Sequence, residues 1–342
     1  MRKLSYLVIA LAALLGAGRF AGAAPRAGSP HGDPKSVPKG CASCHTGHGV
    51  KGEKMLAQSE EEGCLECHGA PAKKNQAKRD KRLGEDVTPG DLEGVFRKPS
   101  AHPIFAHGKH NPNEGITAQG DRHAECTDCH NHHKVDDYRQ FKGSDRKRSP
   151  LGVVEFEYEL CYRCHTSRSN AKKDMKVAFS VANRSYHPVE ARAKGDGLGL
   201  LPPWTAAAGM SCTDCHGNDD KTGPQGPHGS NYAPILLDRY EPQSGPESTE
   251  RYSLCYGCHS RTSLFSGSRF QGHRLHVQTA GESCAECHDA HGSQFNRALI
   301  EFKKGPDLKP SKGGRLEFQS NSPGAGTCYL NCHGKEHDPL SY

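Results

Sequence analysis

Sixteen cysteines and twenty-two histidines stand among the 342 residues, and their spacing is not that of a disulfide framework. Seven times the chain reads Cys-x-x-Cys-His: Cys41, Cys44 and His45; Cys64, Cys67 and His68; Cys126, Cys129 and His130; Cys161, Cys164 and His165; Cys212, Cys215 and His216; Cys255, Cys258 and His259; Cys284, Cys287 and His288. An eighth copy, Cys328, Cys332 and His333, has three residues between its cysteines instead of two. These eight motifs use every cysteine. Two thiols one helical turn apart can each form a thioether with a vinyl group of one haem, and the histidine that follows then reaches the iron. The spacing therefore predicts eight covalently attached groups of haem c (heme c), with the motif histidines as proximal ligands. Four-cysteine zinc sites and reactive dithiols compete for the same residues, but neither accounts for a histidine after every second cysteine.

Fourteen histidines remain (22 − 8 = 14), enough to give every iron a second imidazole, whereas only Met55, Met175 and Met210 follow the N-terminal apolar segment. His48, His133 and His291 each lie three residues after a motif histidine, and His228 in Pro227-His228-Gly229 is a delayed copy. His102 and His187 share a Ser-x-His-Pro context. These six are expected as distal ligands, joined by His273 or His276 and by His337 close to the last motif. His31, His107, His110, His123 and His132 have no repeating context and read as surface histidines. Two imidazoles saturate an iron and leave it no substrate position, so the composition favours electron transfer over catalysis. The competing class is a multihaem oxidoreductase that reduces a small nitrogen or sulfur oxyanion at one open haem.

The elements that must position these residues are short. Leu, Ile, Val and Phe together make up only 52 of 342 residues, too few for a large core of side chains. The macrocycles are expected to supply that core, surrounded mostly by coil with short α-helices carrying the motifs. Ala298 to Phe302 and Arg315 to Phe318 read as a small β-hairpin near the C-terminus. The charged stretches Lys73 to Arg82 and Asp145 to Arg148 read as solvated loops. First motifs of successive pairs begin at 41, 126, 212 and 284 and second motifs at 64, 161, 255 and 328, which suggests four two-haem units over about 41–110, 111–190, 191–276 and 277–342.

Arg2 and Lys3, an apolar run from Leu4 to Leu15 and Ala21-Gly22-Ala23 read as a signal peptide over 1–23, with the cytochrome region over 24–342. The apolar run is too short to span a bilayer. Without Arg2, Lys3 and Arg19 the charge balance is 42 − 39 = +3, which gives no reason to invoke nucleic acid or membrane insertion of the exported chain.

The paired motifs, the segments His45-Thr46-Gly47-His48-Gly49 and His288-Asp289-Ala290-His291-Gly292, the Ser-x-His-Pro elements and the ending Cys328-Tyr329-Leu330-Asn331-Cys332-His333 resemble the doubled-CXXCH multihaem cytochromes c, over roughly residues 41 to 338. The resemblance implies an electron carrier in the periplasm or at the cell surface. Its partners would be redox proteins, other multihaem cytochromes among them, and assembly into a conduit or filament fits the same resemblance.

Overall fold

The computed structural model describes residues 30–45, 48–49, 55–106, 124–130, 133, 156–167, 173–266, 270–303, 305, 308–322, 325–332 and 334–342. The expected signal peptide, His107, His110, His123, His132, Asp145 to Arg148 and the motif histidine His333 lie outside the described residues. Among the described residues the helices are short: α1 (Glu60–His68), α2 (Pro71–Arg79), α3 (Leu92–Phe96), α4 (Cys126–Cys129), α5 (Glu157–Cys161), α6 (Met175–Ala178), α7 (Ser253–Tyr256), α8 (Arg261–Phe265) and α9 (Cys284–Cys287). None is long and apolar enough to cross a membrane. Much of the remaining described chain is turn and coil, and buried apolar side chains such as Leu65, Val95, Ala178 and Tyr252 are scattered rather than layered.

Seven motifs sit on a single helical turn. In six of them the histidine N–H donates to the carbonyl of the first cysteine at 2.9 to 3.0 Å, and in the second motif the same turn is the end of α1. A helical turn puts positions i, i+3 and i+4 on one face, so both thiols and the imidazole point the same way. The residues between the cysteines have their own work. Asp128 and Asp214 accept from the N–H of Glu125 and Ser211, at 2.8 and 2.7 Å, and hold the start of the turn. The α1 entry is capped by Ser59, whose hydroxyl accepts from the Glu62 N–H at 3.3 Å.

Two pairs of two-residue strands tie distant parts of the chain together. β1 (Ser100–Ala101) pairs antiparallel with β3 (Gly229–Ser230), and β2 (Ser185–Tyr186) with β4 (Gly292–Ser293). Each joins a Ser-x-His-Pro element to a His-Gly-Ser element. Close backbone approach requires the glycines: a Cβ on Gly229 would lie 2.1 Å from the Val95 carbonyl oxygen, and one on Gly292 would lie 2.1 Å from that of Ala178.

Two sequence expectations are corrected. Lys73 to Arg82 is not a loop: most of it forms α2, started by Pro71 at its first position, and Lys74 is buried with its Nζ donating to the Pro89 carbonyl at 2.7 Å. The C-terminal hairpin is larger and displaced. Ala298 to Phe302 contributes only a bridge between Ile300 and His288. The sheet is built instead from β5 (Leu308–Lys309), β6 (Glu317–Ser322), β7 (Ala325–Cys332) and β8 (Lys335–Ser341), with β7 pairing antiparallel to the other three. The cysteines of the eighth motif therefore lie on a strand, which hydrophobic alternation around Leu316 and Phe318 did not reach. Leu308, Phe318 and Leu330 are buried here, and Phe318 packs against Phe302 and Tyr342.

Candidate haem sites

None of the sixteen cysteines is in a disulfide. What the fold brings together are histidines. The motif histidine His45 faces His133 at 6.1 Å between ring centres, His68 faces His31 at 6.0 Å, His130 faces His228 at 6.1 Å and His165 faces His102 at 6.2 Å. His216 faces His291 at 6.3 Å, His259 faces His187 at 6.2 Å and His288 faces His273 at 6.2 Å. An eighth pair, His276 and His337, stands at 6.3 Å. Imidazoles in direct stacking contact would sit closer. A metal bound by two imidazole nitrogens, each at about 2.0 Å, separates the ring centres by about 6 Å. The donor set thus fits haem c: two thiols on one face of a turn, an adjacent imidazole, and a second imidazole at the distance an intervening iron requires.

The protonation and orientation of the rings agree with that fit. Burial pushes His68, His228, His259 and His288 down to about 4, and it also lowers His130, His187, His216 and His273, so these rings are neutral at pH 7 and keep a lone pair for a metal. Nδ1 of His102, His216, His276 and His288 faces the carbonyls of Pro227, Pro234, Gly272 and Ala298 at 2.6, 2.9, 2.8 and 2.7 Å, and Nδ1 of His187 faces that of Ala290. A proton on Nδ1 directed at a carbonyl leaves Nε2 as the ligating atom and fixes the ring plane.

His102, His133, His187, His228, His273 and His291 each lie opposite a motif histidine. His48 faces none of the described motif histidines: it is exposed on the turn after the first motif, and His133 occupies the position facing His45. His31, read from the sequence as a surface residue, faces His68 instead. The signal that pointed to it was its context, Pro30-His31-Gly32, which repeats that of His228.

Neighbouring motifs adjoin in the order of the sequence. Arg82 donates to the Ser43 carbonyl at 2.8 Å and pairs with Glu66, linking the first motif to the second. Glu60 accepts from the Thr127 N–H and hydroxyl at 2.7 and 2.8 Å, and Glu157 accepts from those of Thr213 at 3.0 and 2.7 Å, linking second to third and fourth to fifth. The His102 N–H donates to the His228 carbonyl and the His187 N–H to that of His291, both at 3.2 Å, so the facing imidazoles of the third and fourth motifs, and of the fifth and sixth, share a strand pair. Burial first, and then the neighbouring Cys284 thiol, push Cys255 up to about 12, which marks the approach of the sixth and seventh. Finally, the Cys332 thiol donates to Glu282 at 3.1 Å beside the seventh motif.

Glu157, Cys161 and Cys212 also place three ligating atoms within 4.8 Å of one another. Both thiols belong to motifs that call for thioethers, and Glu157 is already held by Thr213, so the cluster is a junction between the fourth and fifth motifs rather than a zinc site.

Residues 106–299, more than half of the chain, match the family model described as outer membrane cytochrome MtrC/MtrF-like, domains II/IV, and residues 35–73 match the doubled CXXCH motif. No curated protein and no solved structure matches the chain.

Proposed function

The chain belongs to the outer membrane cytochrome MtrC/MtrF-like domain II/IV family and is a multihaem c-type cytochrome; we propose that it is exported and relays electrons through eight bis-histidine haems in extracellular respiration. The observation that supports this reading is the recurrence of facing imidazoles: each of the seven described motif histidines has a second histidine opposite it at 6.0 to 6.3 Å. Bound at these positions, haem c supplies reversible one-electron exchange at iron.

The chain's own residues supply the rest. The paired thiols would fix each macrocycle covalently. Each imidazole pair would supply two nitrogen ligands to its iron, so that no position would be open to a substrate oxyanion at those seven sites. Carbonyls facing Nδ1 hold the rings in one orientation, which would keep reorganisation on electron transfer small. The Thr127–Glu60, Thr213–Glu157 and strand-pair contacts set neighbouring sites against one another in sequence order, so the route for electrons runs along the chain from the first motif to the last. The macrocycles would fill the interior that scattered side chains leave thin, around four two-haem units. The family resemblance favours the cell surface or periplasm, with other multihaem cytochromes as donor and acceptor.

A spectropotentiometric titration of the matured protein tests the reading. The expected result is fully low-spin oxidised haem that titrates over a broad, low range, because each added electron changes the charge felt by its neighbours. Rapid exchange with another multihaem cytochrome should accompany it. Turnover of nitrite, hydroxylamine or tetrathionate, with a high-spin signal in the oxidised state, would replace this function with a reductase.

A further inference from the structure

One kind of contact between motifs recurs three times. First cysteines approach first cysteines where the second motif meets the third (Cys64 and Cys126), where the fourth meets the fifth (Cys161 and Cys212) and where the sixth meets the seventh (Cys255 and Cys284). At the first two junctions the residue four before the leading cysteine is a glutamate, Glu60 or Glu157, and both of its oxygens hold the threonine inside the next motif. At the third junction Arg251 replaces the glutamate and Ala285 the threonine. We propose that this exchange grades the relay: Glu60 and Glu157 keep the haems on either side of their junctions at lower potential than the haems of the sixth and seventh motifs, where electrons therefore collect. The inference rests on the cytochrome reading above and adds a direction to it.

The physical basis is charge held at a fixed place. A ferric haem carries one positive charge more than a ferrous one, so a neighbouring carboxylate favours the oxidised state and a guanidinium the reduced one. Glu157 accepts from the Thr213 N–H and hydroxyl at 3.0 and 2.7 Å, and one of its oxygens lies within 4.8 Å of the sulfur atoms of both Cys161 and Cys212. Those two thiols belong to successive motifs, so one carboxylate acts on two sites. Glu60 holds the buried Thr127 in the same manner, at 2.7 and 2.8 Å. Glu62 and Glu159, two residues further on, add to the acidity of these junctions, and Ser253 stands in their place at the third.

Arg251 is built into the third junction. Its guanidinium donates to the Gln243 carbonyl at 2.6 Å and lies 5.9 Å from the centre of the Tyr252 ring, with Nε buried. The segment that holds it also holds the approach to Cys284: the Ser283 hydroxyl donates to the Pro242 carbonyl at 2.7 Å and the Gly245 N–H to that of Gly281 at 2.6 Å. The carboxylates nearby do not restore the lost charge. Glu247, whose charge reaches Cys284, is paired with Arg261 at 2.5 Å, and Asp289 is paired with Lys303 at 2.6 Å. Glu286 is the counterpart of Asp128 and Asp214, so it is common to all three junctions. Glu282 faces the eighth motif, where it accepts from Cys332 at 3.1 Å.

A redox titration of the matured protein followed by nuclear magnetic resonance tests the proposal, because haem methyl signals report each site separately. In the wild type, the haems of the sixth and seventh motifs should be reduced before those of the second to fifth. E157Q removes the charge, yet its amide can still accept from the Thr213 N–H and donate to its hydroxyl. At a fixed potential it should raise the reduced-to-oxidised ratio of the fourth and fifth haems about tenfold, a shift of about 59 mV. E60Q should do the same for the second and third, and R251Q should lower the ratio at the sixth and seventh. T213V keeps the charge while losing one hydrogen bond, and should leave the ratios nearly unchanged. If E157Q loses haem, R251Q and the wild-type order of reduction decide. An E157Q shift no larger than that of T213V, an R251Q protein with unshifted sites, or sixth and seventh haems reduced last overturns the proposal. Wild-type protein without covalent haem would instead overturn the cytochrome reading itself.

Discussion

The strand pairs β1–β3 and β2–β4 are two editions of one device. In both, a short helix capped by aspartate leads to a Ser-x-His-Pro strand: Asp91 accepts from the Gly94 N–H at 3.0 Å and Asp174 from that of Val177 at 3.1 Å. The strand serines Ser100 and Ser185 accept from Ile235 and Leu299 N–H groups, both at 2.9 Å. Phe96 packs edge-on against His228 at 5.2 Å, as Phe179 does against His291 at 5.5 Å. The difference lies behind the imidazole. Nδ1 of His228 is buried with no hydrogen-bond partner, whereas Nδ1 of His291 faces Asp289 at 3.1 Å. Asp289 is itself gripped by Lys303 at 2.6 Å and by Lys173. In the other edition the carboxylate is Asp219, bound to Lys98 at 2.6 Å and to Asn231 at 2.9 Å instead of to a histidine. A repeated scaffold delivers the imidazole proposed as ligand; the group behind it would set its electron donation.

The largest effect should come from removing the ligand in either edition. H228A and H291A should each convert one haem to high spin without loss of covalent haem, visible in the oxidised optical spectrum. A change in only one variant would break the equivalence of the two units. Next come the glycines that admit the strands. G229A and G292A force a Cβ to within 2.1 Å of a backbone oxygen, and each should lower stability by about 1–3 kcal/mol in thermal unfolding. Unequal losses would mean that one strand pair can shift to make room.

Smaller again is the contact between motifs. T127V and T213V remove the side-chain hydrogen bonds to Glu60 and Glu157 and should cost about 1 kcal/mol each. The redox and pH consequences of Asp289 sharpen the comparison further. Burial opposes its ionisation, but hydrogen bonds from His291, Lys173 and Lys303 outweigh burial and hold the carboxyl well below the usual carboxylate range. Asp219, where burial is outweighed by Lys98 and Asn231, is held at about 2. Because both values are depressed on folding, their stabilisation is present above the ordinary carboxylate range and is lost as pH falls toward the folded values. D289N should raise the potential of the haem facing His291 and flatten acid unfolding; D219N should flatten acid unfolding while leaving haem potentials nearly unchanged. The smallest effect belongs to H48A, which should leave the spin state as it was, since His48 faces no other described imidazole.

Much of the candidate site was legible along the chain because its covalent part is local. Cys64, Cys67 and His68 need only one turn of helix to act together, and that turn is written in the spacing. Ligand candidates were legible where a context repeated, as in Ser185-Tyr186-His187-Pro188. His31 escaped because its Pro-His-Gly context precedes the first motif, outside the repeat. The C-terminal sheet escaped because alternation is weak there: the eighth motif was read with a helical template, although its cysteines lie on a strand.

By itself, then, the sequence determined which residues are spaced for covalent haem attachment, how many motifs there are, and that histidines, unlike methionines, are numerous enough to give every iron a second ligand. Those follow from composition and from spacings of three or four residues, which a single turn enforces. Only the tertiary structure decided which histidine faces which. His45 meets His133 and His130 meets His228 across long stretches of chain, while His165 and His259 look back to His102 and His187. Such pairings depend on strand register, on glycines that admit a neighbouring backbone, and on carbonyls that orient rings, all of them contacts between segments with no local spacing to announce them.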